Sequence, residues 1–428
     1  MPLKKIYTYP YFLFFLFAGL GIIVSFQYAD GVLKNSGYFG PFTIGLFIPL
    51  IAAIFFLLAS AVKPAQLNRS ILLLTLLVFI ISALPFLSVL NNAIVYADID
   101  DGYRYSRSAH YMVEHKTLWG ADGIVLKNES IRHYVFNPGY RYFLALELFI
   151  FGTETRGFQL FNLLLWVFIM CFFVRQLMIS FREGFEKYLT LLFIAGTALY
   201  APKNILMNLS EWLCVIWFIL FYLSYINNKL MLAVIFLGLV VFTRQNLLFA
   251  SLLLLFFTLK GKNIKQVSGH LLVYTFLLSL PLIHNLYYAG KWQWLPNYGT
   301  VVKNIFIPDS TGNMIYDILI SCYRTSLHYI LGVDPIFHNT RQNIFGIVFI
   351  PTGVALLVLL YRKMPATVRW SFVLQAVFVI GPSLVLNWAY FPRFEFINLY
   401  CLLITSLVLG YYSNSFPARN DNYLPKLQ

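Results

Sequence analysis

The sequence predicts an all-α polytopic membrane protein, a single integral membrane domain with about 12 transmembrane helices and two long extracytoplasmic loops. Composition is the first observation behind this: 60% of the 428 residues are hydrophobic and only 11% are charged, at a mean hydropathy of +0.73, far from an ordinary soluble domain. The second is that apolar runs recur from end to end, approach the roughly 20 residues a helix needs to cross a bilayer, and lack the period-2 alternation of strands. Hydrocarbon cannot solvate a free peptide group, so runs that cross are helical. The third is a charge asymmetry between alternate connections.

In chain order the expected spans are 10–26, 41–62, 71–92, 158–178, 187–201, 205–225, 230–243, 246–259, 267–285, 344–361, 370–387 and 397–413. Several central spans are short, so their ends can shift by a few residues and a pair could merge. Residues 1–70 hold two spans ahead of the first long loop. The first span lacks a small-residue cleavage site and is followed by more membrane, which argues against a removable signal peptide.

With the amino terminus inside, the inner connections hold sixteen of the 31 Lys and Arg against three acids, Glu183, Glu186 and Asp421, a net +13. The outer face holds 15 basic and 14 acidic side chains over a much greater length. That asymmetry sets the orientation, with both termini and the 414–428 tail in the cytoplasm and loops 93–157 and 286–343 outside. It also accounts for the formal charge of +14 without nucleic acid as a partner. Cys171, Cys214 and Cys401 fall within spans and Cys322 in an outer loop, with no disulfide partner and no CxxC pattern.

The first outer loop carries Asp98-Ile99-Asp100-Asp101, then Asn137-Pro138-Gly139-Tyr140. The apolar stretch from Tyr142 to Phe151 is too short to cross and is expected along the outer interface; the plainer alternative is that it extends the next span. The second loop is rich in Trp, Tyr and Asn around Trp292. These residues either anchor the interface or form an acceptor surface.

Acids beside a bilayer are costly, and three within four positions mark chemistry or ion binding. On a helix through 98–112, Asp98, Asp101, Tyr105 and Ala109 share one face, whereas Asp100 and Arg104 pair at i, i+4. Asp101 is then the site-facing carboxylate. Asp98 and Asp100 read equally as an N-cap and a surface ion pair. Glu211, near the outer end of a span, is either an interfacial acid or a second site carboxylate. Arg244, Lys203, His284, Arg324 and Arg393 fall on the same outer side. Singly each could snorkel; together they suit an anionic lipid, because an arginine grips a phosphate through two oxygens.

The order of these motifs resembles the GT-C glycosyltransferases, the superfamily of protein O-mannosyltransferases and lipid A aminoarabinose transferases. Asp101-Gly102-Tyr103-Arg104-Tyr105-Ser106-Arg107-Ser108-Ala109 is similar to their D-x-x-x-Y-x-x-x-A first-loop signature. Asn137-Pro138-Gly139-Tyr140 with Leu144-Ala145-Leu146 and Phe151-Gly152 resembles their interfacial helix. Ser210-Glu211-Trp212-Leu213 stands where they often place an acid. Pro281-Leu282-Ile283-His284-Asn285 through Gly290-Lys291 resembles their P-x-x-R-N-Y-x-x-x-G-K segment. The match runs discontinuously over about half of the chain, from 98 to 300.

The resemblance implies sugar transfer, usually with inversion, from a polyprenyl-phosphate donor to a lipid, glycan or protein hydroxyl among membrane lipids. The site would face the periplasm or exterior of a bacterial plasma membrane. Asp101 would be the general base, with Asp100 in the alternative register and Glu211 as a further catalytic acid. Arg244, His284, Arg324, Arg393 and Lys203 would serve the donor phosphate, and Asp98, Tyr105, Tyr140 and Trp292 the sugar or acceptor. No cofactor is required by this chemistry, although the acids could hold Mg²⁺ or Mn²⁺. The chain departs from the family in having two spans before the loop, Gly102 after the matched Asp, and His284 for the motif's arginine. Rival readings are a surface-glycan polymerase or ligase working through Arg and His of the second loop, and a secondary transporter. The outer Asn128-Glu129-Ser130 triplet is too common by chance to imply glycosylation.

Overall fold

The computed structural model describes residues 101–119, 138–151, 208–294, 340–385 and 391–412, with isolated positions between 161 and 205 and at 316, 319 and 320. Among these residues all regular structure is helical, with no strand. The expected spans at 10–26, 41–62 and 71–92 lie outside the described residues, as do Asp98, Asp100, Lys203, Arg324, Asn128 to Ser130, most of the second outer loop and the tail. The spans at 158–178 and 187–201 are described only at scattered positions.

The chain divides into two units, one of Met1–Gly120, Arg141–Arg175 and Ile205–Asn208, the other of Ala121–Tyr140, Gln176–Asn204 and Leu209–Gln428. In the first, α1 (Asp101–His115) opens on an acid and closes on His115, a charge order that complements the helix dipole. It stops at Lys116, whose φ of 53° takes the chain out of helical geometry. The next helix, α2 (Gly139–Phe151), buries Leu144, Leu148 and Phe151 and exposes Leu146 and Phe149. That division at i, i+3/i+4 spacing is what a helix half-sunk in its surroundings requires. It begins three residues before the expected apolar stretch.

The second unit is a bundle around two nearly enveloped helices, α3 (Glu211–Ile226) and a later one, α9 (Phe391–Tyr412). Between them in sequence lie α4 (Leu230–Thr243), a 3₁₀ turn at Gln245–Leu247, α5 (Leu248–Leu259), α6 (Ile264–Ala289), α7 (Thr340–Lys363) and α8 (Ala366–Val385). The α3–α4 connection is tight because Asn228 takes a left-handed φ of 56°, which Asn tolerates better than most residues. The Asn227 amide also donates to the Leu223 carbonyl at 2.7 Å. The two helices then run antiparallel, with the Trp217 indole donating to Thr243 Oγ1 at 3.2 Å. On the far side of α4, α6 packs so closely at Gly238 that a Cβ there would meet Leu277 Cδ1 at 2.5 Å. A buried chain from Tyr274 through Ser251 to the Leu237 carbonyl fastens α6, α5 and α4. The opposite flank is α7 and α8 against α9.

Helix positions agree with the expected spans at 230–243, 246–259, 344–361 and 370–387 to within a few residues, α9 starts at Phe391, ahead of the expected 397, and α6 is longer than 267–285 at both ends. The span expected at 205–225 starts later, at Glu211, because Asn208 with a φ of 50° turns the chain ahead of it. Among the described residues one helix, α6, is both long and apolar enough to cross a membrane. The 16, 14 and 12 residues of α3, α4 and α5 are shorter than the roughly 20 that a perpendicular crossing needs.

Candidate functional site

Three segments singled out in the sequence meet inside the second unit. Glu211 occupies the first turn of α3, where an acid is favoured by the helix dipole, and its side chain is wholly buried. Arg244 ends α4 in an extended conformation, φ −143° and ψ 110°, before the 3₁₀ turn begins. That break aims its side chain across the α3 start: Arg244 Nη1 donates to Glu211 Oε1 at 2.5 Å and to Ser210 Oγ at 2.9 Å. The Arg244 side chain as a whole is 12% exposed. A buried carboxylate thus fixes a cation at a helix break.

The third segment is Gly139-Tyr140. A Cβ on Gly139 would stand 2.5 Å from the Phe242 carbonyl oxygen, so only glycine allows the chain this near to α4, two residues before Arg244. Tyr140 is buried, and its hydroxyl accepts from the Trp212 indole at 3.2 Å. Tyr140, expected at a sugar-binding surface, instead braces the start of α3. Glu211, expected as a catalytic acid, is the buried counter-ion of Arg244.

Asp101 opens α1 in the first unit. It is about one-third exposed and lies 3.9 Å from Arg104; the expected Asp100–Arg104 pair involves a residue outside those described. An ion pair this long and this exposed adds little stability. Tyr105 sits beneath the Arg141 guanidinium, whose carbon is 5.8 Å from the ring centre. Of the acids expected to hold a divalent cation, Asp101 and Glu211 are described and Asp98 and Asp100 are not, and no group of three or more ligating side chains occurs among the described residues.

His284 is buried in α6 with its ring 4.9 Å from that of Tyr288. The helix then ends on Gly290 in the left-handed region, φ 63°, which returns the Lys291 amide to the Asn285 carbonyl at 3.1 Å. Asn285 also donates to the Gln293 carbonyl at 3.0 Å. The His-Asn and Gly-Lys parts of the motif therefore build one helix end, and Trp292 beyond it is exposed. Arg393 falls in the first turn of α9.

One buried acid escaped the sequence reading. Glu147, the sole charge between Tyr142 and Phe151, is buried in α2 and accepts from the Asn162 amide at 3.1 Å. A lone acid in a ten-residue apolar run was the available signal. Comparison of the chain with protein-family models, curated proteins and solved structures gives no match.

Proposed function

We propose that this chain is a GT-C-type inverting glycosyltransferase with about 12 spans. It moves a sugar from a polyprenyl-phosphate donor to an acceptor hydroxyl at the extracytoplasmic face of a bacterial plasma membrane. The observation that carries this reading is the Arg244 centre, a guanidinium fixed by Glu211 and Ser210 on a side chain that is not fully enclosed. Such a group suits the phosphate that leaves when the sugar departs.

Apolar side chains turned outward support the membrane setting. Exposed Leu272, Phe276, Ile283 and Tyr287 run along α6, Phe249, Leu252 and Phe256 along α5, and Trp370, Leu374 and Val377 along α8. Stripes of this size on helix faces need an apolar medium to cover them. The turns joining α3 to α4, α5 to α6 and α7 to α8 carry Lys229, Lys260 with Lys262, and Arg362 with Lys363, as an inner surface would. The Arg244 centre lies at the opposite end of α3 and α4 from Lys229, as an outward-facing site requires.

In the proposed reaction the acceptor oxygen bonds to the anomeric carbon on the face opposite the phosphate. The bond from that carbon to the phosphate oxygen breaks, and its electron pair leaves with the lipid phosphate. The hydroxyl proton passes to the base, assigned to Asp101 by the motif. Arg244 neutralises the departing phosphate. A divalent cation, if used, would add charge neutralisation on that same oxygen.

The test is sugar transfer by the purified full chain in lipid, offered a panel of labelled polyprenyl-phosphate sugars. Asp101→Asn is expected to lower turnover by roughly 10²–10⁴-fold while the protein stays folded. Turnover retained in Asp101→Asn and lost in Asp100→Asn would move the base by one residue. A chain that consumes none of the donors would overturn the transferase reading in favour of a polymerase or transporter.

A further inference from the structure

The buried pair formed by Glu147 and Asn162 in the first unit is a polar island that the proposed reaction does not use. Its geometry is simple. The Asn162 amide nitrogen donates to Glu147 Oε2 at 3.1 Å, and both residues are buried. The two remaining oxygens, Glu147 Oε1 and Asn162 Oδ1, are shielded from solvent and have no hydrogen-bond partner. Phe151 of α2 and Phe161, next to Asn162, meet one turn further along, with ring centres 5.3 Å apart. The site is therefore closed by packing.

With Glu147 ionised, both orphaned oxygens would be acceptors facing an apolar surround, a costly arrangement. One proton on Oε1 resolves both deficits, because a carboxylic acid is one donor and one acceptor and so is a primary amide edge. We propose that Glu147 carries a proton in the folded protein at neutral pH and closes a cyclic acid–amide pair with Asn162. The Glu147 hydroxyl then donates to Asn162 Oδ1 while the Asn162 amide donates to Oε2. The pair is a buried proton-binding site that clamps α2 to the segment bearing Asn162.

Among the described residues no charge is found to hold an ionised Glu147. Arg141, on the same helix, directs its guanidinium over Tyr105 of α1. On the facing segment, Asn162 and the buried Trp166 are uncharged, and no ion pair to Glu147 occurs among the described residues. Burial pushes the Glu147 carboxyl well above its ordinary value of 4.5, and the Asn162 hydrogen bond opposes this only in part. To hold the proton at pH 7, burial must disfavour the anion by more than roughly 300-fold, within the range seen for buried acids.

The sign of the pH dependence follows from a folded value above the unfolded one. The pair's stabilisation is complete below the ordinary carboxyl value and is lost as pH rises through the raised folded value. The experiment is infrared difference spectroscopy on the full chain in detergent, parent minus Glu147→Gln, at neutral pH. A protonated-carboxyl carbonyl band that the substitution removes is expected, and it should convert to carboxylate bands at alkaline pH. Carboxylate bands already present at neutral pH would overturn the proposal. Thermal unfolding across pH gives a second readout. Glu147→Gln keeps both hydrogen bonds through its own amide, so it should fold and lose part of the parent's alkaline destabilisation. An unchanged pH slope would equally overturn the pair. Should Glu147→Gln not fold, Asn162→Ala in the same spectrum must shift the carboxyl band, and an unshifted band counts against the proposal.

Discussion

At the scale of single residues, burial decides which acids can act. Glu211 is fully enclosed and tied to Arg244, which shuts its carboxylate off from direct contact with a substrate. Its work is to hold a guanidinium, which makes it a positioning residue. Breaking a buried ion pair from one side strands a charge, at a cost of about 3–5 kcal/mol, whereas replacing both partners with apolar residues is often neutral. Glu211→Gln is therefore expected to lower stability strongly, and the Glu211→Leu, Arg244→Met double variant to recover most of the loss without recovering transfer. Thermal unfolding and turnover measured on the same samples check this; equal loss in single and double variants would remove Arg244 from the chemistry. Glu147 shows the opposite resolution. Burial raises its carboxyl well above the ordinary value, because an anion beside one neutral amide is costly to bury. Asp101, one-third exposed, is open to solvent where Glu211 and Glu147 are not.

At the scale of elements, backbone breaks place the candidate site. Arg244 reaches the start of α3 because α4 stops there in an extended residue and a 3₁₀ turn follows. Gly139 brings the start of α2 onto the end of α4, and the Phe242 carbonyl leaves no room for a side chain. Gly139→Ala is expected to destabilise the fold by about 1–3 kcal/mol through overpacking and to lower turnover by shifting Arg244. The comparison that checks it is Gly269→Ala, where a Cβ would meet nothing within 4 Å and both readouts should hold. The sequence showed the glycine and the arginine as separate motifs. Their meeting depends on Asn228, whose left-handed turn sets the α3–α4 register, and no spacing rule spells that out.

At the scale of the whole molecule, apolar stripes and basic turns describe how the second unit would sit in a bilayer. Asn246, exposed beside Arg244, and Lys262, exposed between α5 and α6, mark opposite ends of α5. On intact cells, in a Cys171→Ser, Cys322→Ser background, a membrane-impermeant thiol reagent is expected to label Asn246→Cys, and to reach Lys262→Cys only after permeabilisation. Cys214 and Cys401 are buried and should stay silent. The reverse pattern would invert the orientation and put the Arg244 centre on the wrong side for a lipid-linked donor.

Hydropathy and charge were enough for the helical class and, to within a few residues, for the boundaries of α4, α5, α7 and α8, whereas α9 starts at Phe391, ahead of the expected 397. These depend on local composition, and a peptide's need to satisfy its own backbone in an apolar medium is also local. The partners were not legible. Arg104 lies near Asp101, the Tyr140 hydroxyl accepts from Trp212, and Glu147 found Asn162 fifteen residues away. Each outcome was decided by which side chains packing brought together and which it shut off from water. A carboxylate's role depends on both, and neither is encoded within a few residues of it.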